Sequence, residues 1–527
     1  MKRRTFVKAT GTAALISSLS PRLFKSTLGA ETRRLEDYSF FNDDNITIII
    51  EMFGGNDGLN TIIPAYDDEY YALRPQIAIP KSIAKQFENT NIYFNPALVQ
   101  NVVNNGMMNL FETGRLSIIQ GIGYHPSNLS HFRSQDIWYS GYNTSDPNEK
   151  LLDGWLGRFI SLKLPDFPSV IPDQPIAIQM GPTLSMLLKS SEGDMGIAMT
   201  NPDSFYELGK NLIPYEDYRD ESSNYDREFN FNRLVAEMAE KYSREIKTAY
   251  DIGKDKIKVN YSDGLPQQFK MISQLIAGGL KTKIYYVKLS NFDSHAQQQN
   301  ADNITGQHPT LLSQVAKAIS EFLDDAMKQG WADRVNGFTM SEFGRRAYDN
   351  GSRGTDHGAG SMQFVFGNHV NGGYFGEVPD LTKLDEDGNL TMQFDYRRTF
   401  ADFLINWFSA NEDDVQQVFK QSFLPIGVLK PRATSVENNL DEFKLIPIDI
   451  YPVPSHGDLT VSLSLKRPAQ IKVRVFNQLG KLEKELYAGY LENGEHIFPF
   501  NINRSGNYIC SINIEGRLHN RNFVVIR

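Results

Sequence analysis

The chain has 527 residues, of which 40% are hydrophobic and 12% aromatic. A single hydrophobic core stops growing at roughly 250 to 300 residues, so we expect at least two folded domains. The net charge of −9 becomes −15 without residues 1–30, which hold six bases and no acid. Such an acidic chain lacks the clustered bases that neutralise phosphates, which excludes nucleic-acid binding. The single cysteine, Cys510, excludes an intramolecular disulfide.

Residues 1–30 have the composition of an export signal. A basic start, Lys2-Arg3-Arg4-Thr5-Phe6-Val7-Lys8, precedes a modestly apolar run that is too short to span a bilayer. The pattern Arg-Arg-x-Phe-x-Lys resembles the twin-arginine signal. This resemblance implies that the twin-arginine translocase exports the chain already folded, and we expect cleavage after Ala30.

Short apolar runs alternate with amphipathic helical patterns over residues 40–430. The predicted strands include Ile46–Ile50, Leu116–Ile119, Ile284–Val287 and Phe364–Phe366. The clearest helix follows Pro309, where apolar residues recur at the 3.6-residue period. This alternation predicts an α/β domain over residues 40–430, with helices covering both faces of a sheet.

The sequence changes character after about residue 431. We expect a polar linker at 431–447 and a β-sandwich at 448–527, because short alternating strands replace the helical pattern. Tyr451-Pro452-Val453-Pro454, Ser505-Gly506-Asn507-Tyr508 and the closing Phe523–Arg527 resemble, in this order, the type A C-terminal sorting domain of type IX secretion. The resemblance implies export through the type IX outer-membrane machinery to a secreted or cell-surface location. An accessory sandwich that contacts carbohydrate or protein is the alternative.

Asp, His, Ser and Gly concentrate where the predicted strands end, which is where ligands bind in open α/β sheets. The candidate metal ligands are Asp57, Asp293, His295, His308, Asp356 and His357. Carboxylates and imidazoles from separate segments suit one or two divalent ions, with Zn, Ca, Mg and Mn all open. Taken singly, each His is more often a surface or hydrogen-bonded polar residue.

Three further residues are candidates for catalysis. Ser130 stands where a helix is expected to begin, a position that favours an incoming anion, and a nearby metal would make its hydroxyl a nucleophile. A serine that only caps the helix is the plainer interpretation. Arg133 and Arg345 are candidates for clamping an oxyanion bidentately, and each is equally a candidate for a structural ion pair.

Several ordered segments resemble the domain-of-unknown-function 1501 family, which is placed within the alkaline phosphatase and sulfatase superfamily. They are Gly54–Thr61, Ala72–Pro75, Ser130–Trp138, Gly154–Arg158, Asp293–His295 and Ser341–Gly358. The resemblance covers roughly residues 45–410 and implies an alkaline phosphatase-like fold. It also implies a metal site with a covalent ester intermediate, to which Asp57, Ser130, Asp293 with His295, and Asp356 with His357 correspond.

We therefore expect an exported, metal-dependent hydrolase of phosphate or sulfate esters. In this hypothesis Ser130 is the nucleophile, and Arg133 or Arg345 steadies the anion. Asp57, Asp356 and His357 would surround one ion, and Asp293 and His295 a second. The alternative is a non-catalytic surface protein that binds polysaccharide or a co-exported partner. We expect the side chains of six residues to converge within a few ångströms if the protein is a hydrolase, and scattering of them would contradict that hypothesis: Asp57, Ser130, Asp293, His295, Asp356 and His357.

Overall fold

The computed structural model describes residues 31–35, 43–144, 148–167, 170–210, 223–430, 448–465, 468–514 and 517–526. The predicted signal peptide at 1–30 and the predicted linker at 431–447 lie outside these described residues. The chain divides into two compact units, Met1–Thr391 and Met392–Arg527.

The first unit is built on one large sheet of mainly parallel strands. The first unit contributes eight strands to this sheet, namely β1 (Ile46–Met52), β2 (Leu116–Gly123), β3 (Ala177–Met180), β4 (Ile197–Met199), β5 (Ile284–Leu289), β6 (Val335–Met340), β7 (Ser361–Gly367) and β8 (Gly373–Phe375). In space they follow the order β4-β3-β5-β1-β6-β7-β2-β8. Of these eight, only β7 runs antiparallel to its neighbours. The predicted α/β sheet is thus confirmed.

Shorter strands lie in the connections of the first unit. They are Glu31–Arg33, Ile62–Ile63, Lys85–Gln86, Tyr93–Phe94, Val170–Pro172, Lys189–Ser190, Gly193–Asp194, Gly344–Arg345 and His357–Gly358. The last two pair with each other in an antiparallel hairpin, with Arg345 opposite His357. This hairpin brings the segment after β6 back toward the carboxyl edge of the sheet.

The helices of the first unit occupy the connections between the long strands. They are α1 (Asp68–Leu73), α2 (Gly106–Glu112), α3 (His131–Ser140), α4 (Trp155–Lys163), α5 (Pro202–Gly209), α6 (Asn224–Gly253), α7 (Leu265–Ala277) and α8 (Gln307–Gln329). Single 3-10 turns lie at Gly58–Asn60, Pro96–Leu98, Val103–Asn105, Met186–Leu188, Lys254–Lys256 and Ala332–Arg334. None of the described helices is long and apolar enough to cross a membrane.

The core of the first unit lies between the sheet and its helices. Every residue of β1 is buried, as expected for a central strand with a continuous β-branched run. Helix α8 contributes Leu312, Val315 and Ile319, all fully buried, to the same core. This helix starts two residues before Pro309, because proline is accommodated in the first turn of a helix.

The second unit is mainly antiparallel β-structure. Its long strands are β9 (Ile448–Tyr451), β10 (Asp458–Leu465), β11 (Ala469–Asn477), β12 (Leu482–Leu491), β13 (Gly494–Asn501), β14 (Gly506–Ile514) and β15 (Arg517–Val525). They form one sheet of order β9-β10-β13 and another of order β12-β11-β14-β15. Alternate side chains of both sheets share one buried core. The predicted C-terminal all-β module is confirmed.

The second unit also includes Phe394–Asp395 and the helices α9 (Arg397–Asp402), continued by a π-helical turn at Phe403–Trp407, and α10 (Glu412–Phe419). Arg474 Nη1 on β11 lies 2.7 Å from Glu412 Oε2, and Asn513 on β14 donates to the same carboxylate. These contacts join α10 to the sandwich. The two units therefore divide at 391/392, about forty residues before the predicted limit of 430.

Candidate metal centre

Three loops meet beyond the carboxyl ends of β1, β5 and β6, which are adjacent and parallel. The loop after β5 carries Asp293 and His295, and the loop after β6 carries Glu342. In the loop after β1, Gly54 has φ of 126°, and a Cβ at this position would lie 2.1 Å from the Asp293 backbone nitrogen. Glycine is therefore required where these two loops approach each other.

His131, Asp293 and His357 converge at this edge of the sheet. Among the described residues they form the one group of three or more His, Cys, Asp or Glu side chains whose ligand atoms all lie within 4.8 Å of one another. His131 Nε2 is 3.4 Å from Asp293 Oδ2, and His357 Nε2 is 3.5 Å from Asp293 Oδ1. Asp293 is exposed and both histidines are half-buried, so the group is open to solvent.

The other ring nitrogen of each histidine is held by an acceptor. His131 Nδ1 lies 2.7 Å from Glu342 Oε1, and His357 Nδ1 lies 2.8 Å from the Leu129 carbonyl oxygen. A carbonyl or a carboxylate accepts a hydrogen bond, so Nδ1 carries the proton in both rings and the lone pair stays on Nε2. Both lone pairs are therefore available on the side that faces Asp293.

His295 and Asp356 border this group. His295 Nδ1 lies 3.1 Å from Asp356 Oδ1, which again leaves the lone pair on Nε2. His295 Nε2 lies 2.9 Å from His357 Nε2 and 3.3 Å from Asp293 Oδ1. Asp356 also accepts a hydrogen bond from Asn350, and this bond lowers the pKa of Asp356 more than the bond with His295 does. The arrangement makes Asp356 a partner of His295.

Glu342 is a buried carboxylate that connects two parts of the site. Its Oε1 accepts from the backbone nitrogen of Gly54 at 2.9 Å as well as from His131. The hydrogen bond to Glu342 raises the pKa of His131, whereas burial lowers the pKa of His357. Phe343 packs against both imidazoles, with ring centroids 4.8 Å from His131 and 4.4 Å from His357. Glu342 and Phe343 thus restrict how the histidines can turn.

Arg345 is buried and holds the loops together. Its guanidinium donates to the carbonyl oxygens of Gly54, Gly55, Phe292 and Thr355, and its Nη2 lies 2.9 Å from Asp293 Oδ1. Burial raises the pKa of Asp293, but the hydrogen bond and charge of Arg345 outweigh it and the pKa is lowered. Arg345 therefore positions Asp293, and it has no exposed surface with which to clamp a substrate anion.

Asp57 lies apart from the group, although the sequence placed it around an ion with Asp356 and His357. Its carboxylate is buried and forms a 2.6 Å ion pair with Arg74. Gln298 Nε2 donates to the same oxygen, Oδ2, at 2.5 Å. Burial raises the pKa of Asp57, but the charge of Arg74 outweighs it and the pKa is lowered. The structure therefore gives Asp57 a guanidinium partner.

His308 is also not brought to the group. It lies in the first turn of α8 rather than in a loop, and its side chain is buried. Its Nε2 lies 3.1 Å from Asn56 Oδ1. Burial lowers the pKa of His308 to about 4, so the imidazole is neutral at physiological pH. His308 therefore belongs to a buried hydrogen-bond network with Asn56 and Thr61, two residues of the segment that follows β1.

Ser130 and Arg133 lie close to His131 in sequence, at the amino end of α3. Ser130 is the N-cap residue, as predicted for its position, but its hydroxyl makes no capping hydrogen bond and the residue is exposed. Its two chain neighbours both contact the site, since Leu129 binds His357 and His131 belongs to the group. Arg133 instead donates through Nη1 to the Glu149 carbonyl oxygen at 2.9 Å.

His131 was missing from the predicted ligands. It follows Ser130 directly and begins α3 just after the carboxyl end of β2, the kind of position at which the other candidates were recognised. Ser130 was predicted to have a role at this position, as a capping residue or a nucleophile, and His131 was not. A histidine in the first turn of a helix that follows a buried strand was the signal available in the sequence.

Two family models match the sequence. Residues 207–418 match "Protein of unknown function (DUF1501)", and residues 449–526 match "Secretion system C-terminal sorting domain". The first match contains Asp293, His295, Asp356 and His357 but begins after His131. A search of curated proteins found no match.

Three solved structures illustrate the structural comparison. The PmoD soluble domain from Methylocystis sp. has 15% identity and a TM-score of 0.13, covering 15% of this chain and 90% of that one. The sulfur carrier protein SoxY from Chlorobium limicola has 14% identity and a TM-score of 0.13, covering 16% and 76%. A protein in the alkaline phosphatase superfamily from Vibrio parahaemolyticus has 8% identity and a TM-score of 0.28, covering 95% and 88%.

All three TM-scores are too low to carry a conclusion about function. The sorting-domain match indicates a secreted or cell-surface protein that interacts with the type IX secretion machinery. Residues 207–418 are therefore similar to DUF1501, a family of unknown function, and residues 449–526 to a secretion system C-terminal sorting domain.

Proposed function

We propose that this protein is an exported metal-dependent hydrolase that acts on phosphate or sulfate esters. The observation that carries the proposal is the convergence of His131, Asp293 and His357 with their ligand atoms turned toward one another. His295 lies beside them as a fourth donor. These residues come from the ends of three different segments, which is the usual construction of an active site in an α/β sheet.

The spacing of the donor atoms suits a small divalent ion. Zinc bonds of about 2.0 to 2.1 Å in tetrahedral geometry place neighbouring ligand atoms roughly 3.3 Å apart. The distances from Asp293 to the Nε2 atoms of His131, His295 and His357 are 3.4, 3.3 and 3.5 Å. Nε2 of His295 and Nε2 of His357 lie 2.9 Å apart, close enough for one cation to contact both.

The donor set also selects among metals. Imidazole suits zinc and other first-row transition metals, whereas calcium and magnesium prefer sites made of oxygen ligands. The acceptors on Nδ1 of each histidine are the outer-shell partners that orient metal-binding imidazoles. We therefore favour zinc over calcium, magnesium and manganese, with His131, Asp293 and His357 as ligands and His295 as the fourth.

The residues around the ligands suit an anionic ester. A divalent ion held here supplies Lewis-acid polarisation of an ester oxygen. The amino end of α3, ten residues long, presents backbone N–H groups that favour a phosphate or sulfate group. Ser130 leads this helix with an exposed hydroxyl, so we assign it as the nucleophile. Its oxygen bonds to phosphorus or sulfur as the bond to the alcohol breaks, the departing alcohol takes up a proton in place of the one that the serine loses, and water then hydrolyses the seryl ester to free the serine.

We further propose that the twin-arginine translocase carries the chain across the inner membrane. Because this resemblance implies export of folded cargo, the ligands would already be assembled when the chain leaves the cytoplasm, and the ion would be acquired there. Metal analysis of protein accumulated in the cytoplasm, compared with protein collected outside the cell, tests this order. Equal metal content in both fractions is the expected result, and metal only in the outer fraction would contradict it.

Replacing Ser130 with alanine is expected to lower the turnover of aryl phosphate or sulfate esters by about 10³-fold while bound metal is unchanged. The reason is that the hydroxyl acts in the reaction and is not needed for ligation. Steady-state kinetics on a panel of both ester types, with metal analysis of the same samples, measures this. Ser127→Ala is the matched control, because Ser127 is an exposed serine of the same loop. Equal turnover in the Ser130 variant would remove Ser130 from the mechanism, and bound metal with no turnover of any ester by the unaltered protein would favour the non-catalytic alternative.

Replacing Glu342 with glutamine is expected to weaken metal affinity by about 10–100-fold, because the neutral amide holds the His131 ring less firmly. Competition with a chromogenic chelator measures the affinity. Glu386→Gln, at an exposed glutamate, serves as the control and should leave the affinity unchanged. A Glu342 variant with the affinity of the unaltered protein would show that this hydrogen bond does not orient His131.

A further inference from the structure

We infer that Arg74 supplies, from within the chain, the positive charge that a second metal ion would bring to Asp57, so that the protein holds one ion and not two. The inference rests on the proposed metal site at His131, Asp293 and His357. It concerns the separate place at the end of β1 where the sequence predicted a further ligand.

Arg74 is fitted to Asp57 by several bonds. Its side chain is fully buried, and its Nη1 lies 2.6 Å from Asp57 Oδ2 and 2.9 Å from Asn60 Oδ1. Its Nε donates to the Ala347 carbonyl oxygen at 2.8 Å, and its Nη2 donates to the Arg346 carbonyl oxygen at 2.9 Å. These acceptors come from two parts of the chain that are far apart in sequence, so the pocket is built for a guanidinium.

The charge on Arg74 is permanent, because a guanidinium is not deprotonated in proteins. A buried carboxylate needs a counter-charge, and Arg74 provides it at contact distance. A divalent ion bound to the same carboxylate would face this guanidinium in a buried setting where like charges repel strongly. One cation at Asp57 therefore disfavours another.

The atoms near Asp57 that could still bind a metal ion are too few to form a metal site. Oδ2 already accepts from Arg74 and from Gln298 Nε2, which lies 2.5 Å away. Among the described residues, neither Asp57 Oδ1 nor His308 Nδ1 has a hydrogen-bond partner. Structural and catalytic zinc sites use at least three protein ligands, and no described group of three potential ligands includes Asp57. The residues here do not fit a second ion.

Metal analysis of the full chain, loaded with zinc and freed of excess ion, tests the inference by counting ions. We expect one equivalent per chain in the unaltered protein. We expect the same in the double variant Asp57→Asn with Arg74→Gln, which removes both buried charges together. Inductively coupled plasma mass spectrometry on samples of known protein concentration gives the count.

The outcomes separate this inference from the proposed function. Two equivalents in the unaltered protein, falling to one in the double variant, would overturn the inference and leave the proposed site standing. No bound ion in the unaltered protein would overturn both. The count in the unaltered protein is decisive by itself, so the inference remains testable if the double variant does not fold.

Discussion

Replacing His357 with alanine is expected to abolish tight metal binding and to lower ester turnover by at least about 10³-fold. His357 offers Nε2 to the group, and its Nδ1 is fixed by the Leu129 carbonyl oxygen. Loss of an outer-shell partner alone costs about 10–100-fold in metal affinity, so loss of a ligand should cost more. Metal content and turnover measured on the same preparation give both effects.

The matched control for this variant is His496→Ala. His496 lies on the C-terminal sorting domain, where its Nε2 binds the Glu492 carbonyl oxygen. This variant should keep the metal content and turnover of the unaltered protein. A His357 variant that retains a full equivalent of metal at the same affinity would show that His357 is not a ligand.

Replacing Arg74 with methionine is expected to lower the free energy of unfolding by about 3–5 kcal/mol, because it leaves the buried carboxylate of Asp57 without its partner. Urea denaturation followed by circular dichroism measures the change. The control is Arg334→Met, since Arg334 faces Asp44 at 3.7 Å in a solvent-exposed pair that contributes at most about 1 kcal/mol. Equal stability of both variants would contradict the assignment of a buried ion pair to Asp57.

The same ion pair has a pH dependence of defined sign. The pKa of Asp57 in the folded protein is below its ordinary value of 3.8. Burial raises this pKa, but the charge and the hydrogen bond of Arg74 together lower it by more. The stabilisation from Asp57 is therefore fully present above the unfolded pKa and is lost as the pH falls through the folded pKa. The stability gap between the unaltered protein and Arg74→Met should narrow on acidification below about pH 4.

The main strands could be predicted because their sequences are locally decisive. Ile46–Ile50 is a β-branched run, and the structure extends this strand to Met52. The helix after Pro309 was equally clear from its 3.6-residue period. Both patterns arise within one short segment, because residues close together in the chain become buried together. They can therefore be recognised from the sequence without knowledge of the fold.

The candidate site was harder to predict because its chemistry depends on residues far apart in the chain. His131 is oriented by Glu342, 211 positions away. Asp57 follows a buried strand as a metal ligand does, but Arg74 lies against it and balances its negative charge in an ion pair. Arg345 had the right chemistry for an oxyanion, and the hairpin with His357 buries it among carbonyl oxygens. No local pattern distinguishes these outcomes.

The export address could be predicted from the ends of the chain, because sorting signals are read as short ordered motifs. The C-terminal match at 449–526 supports the predicted sandwich at 448–527. The twin-arginine signal lies outside the described residues and stays a prediction.

The most direct test of the proposed metal site is an anomalous difference map from crystals grown with zinc. We expect one strong peak bounded by Nε2 of His131, Nε2 of His357 and a carboxylate oxygen of Asp293, at about 2.0–2.2 Å from each. No peak beside these three residues in crystals that contain zinc would contradict the proposal, whereas an additional peak at Asp57 would contradict only the inference that the protein holds a single ion.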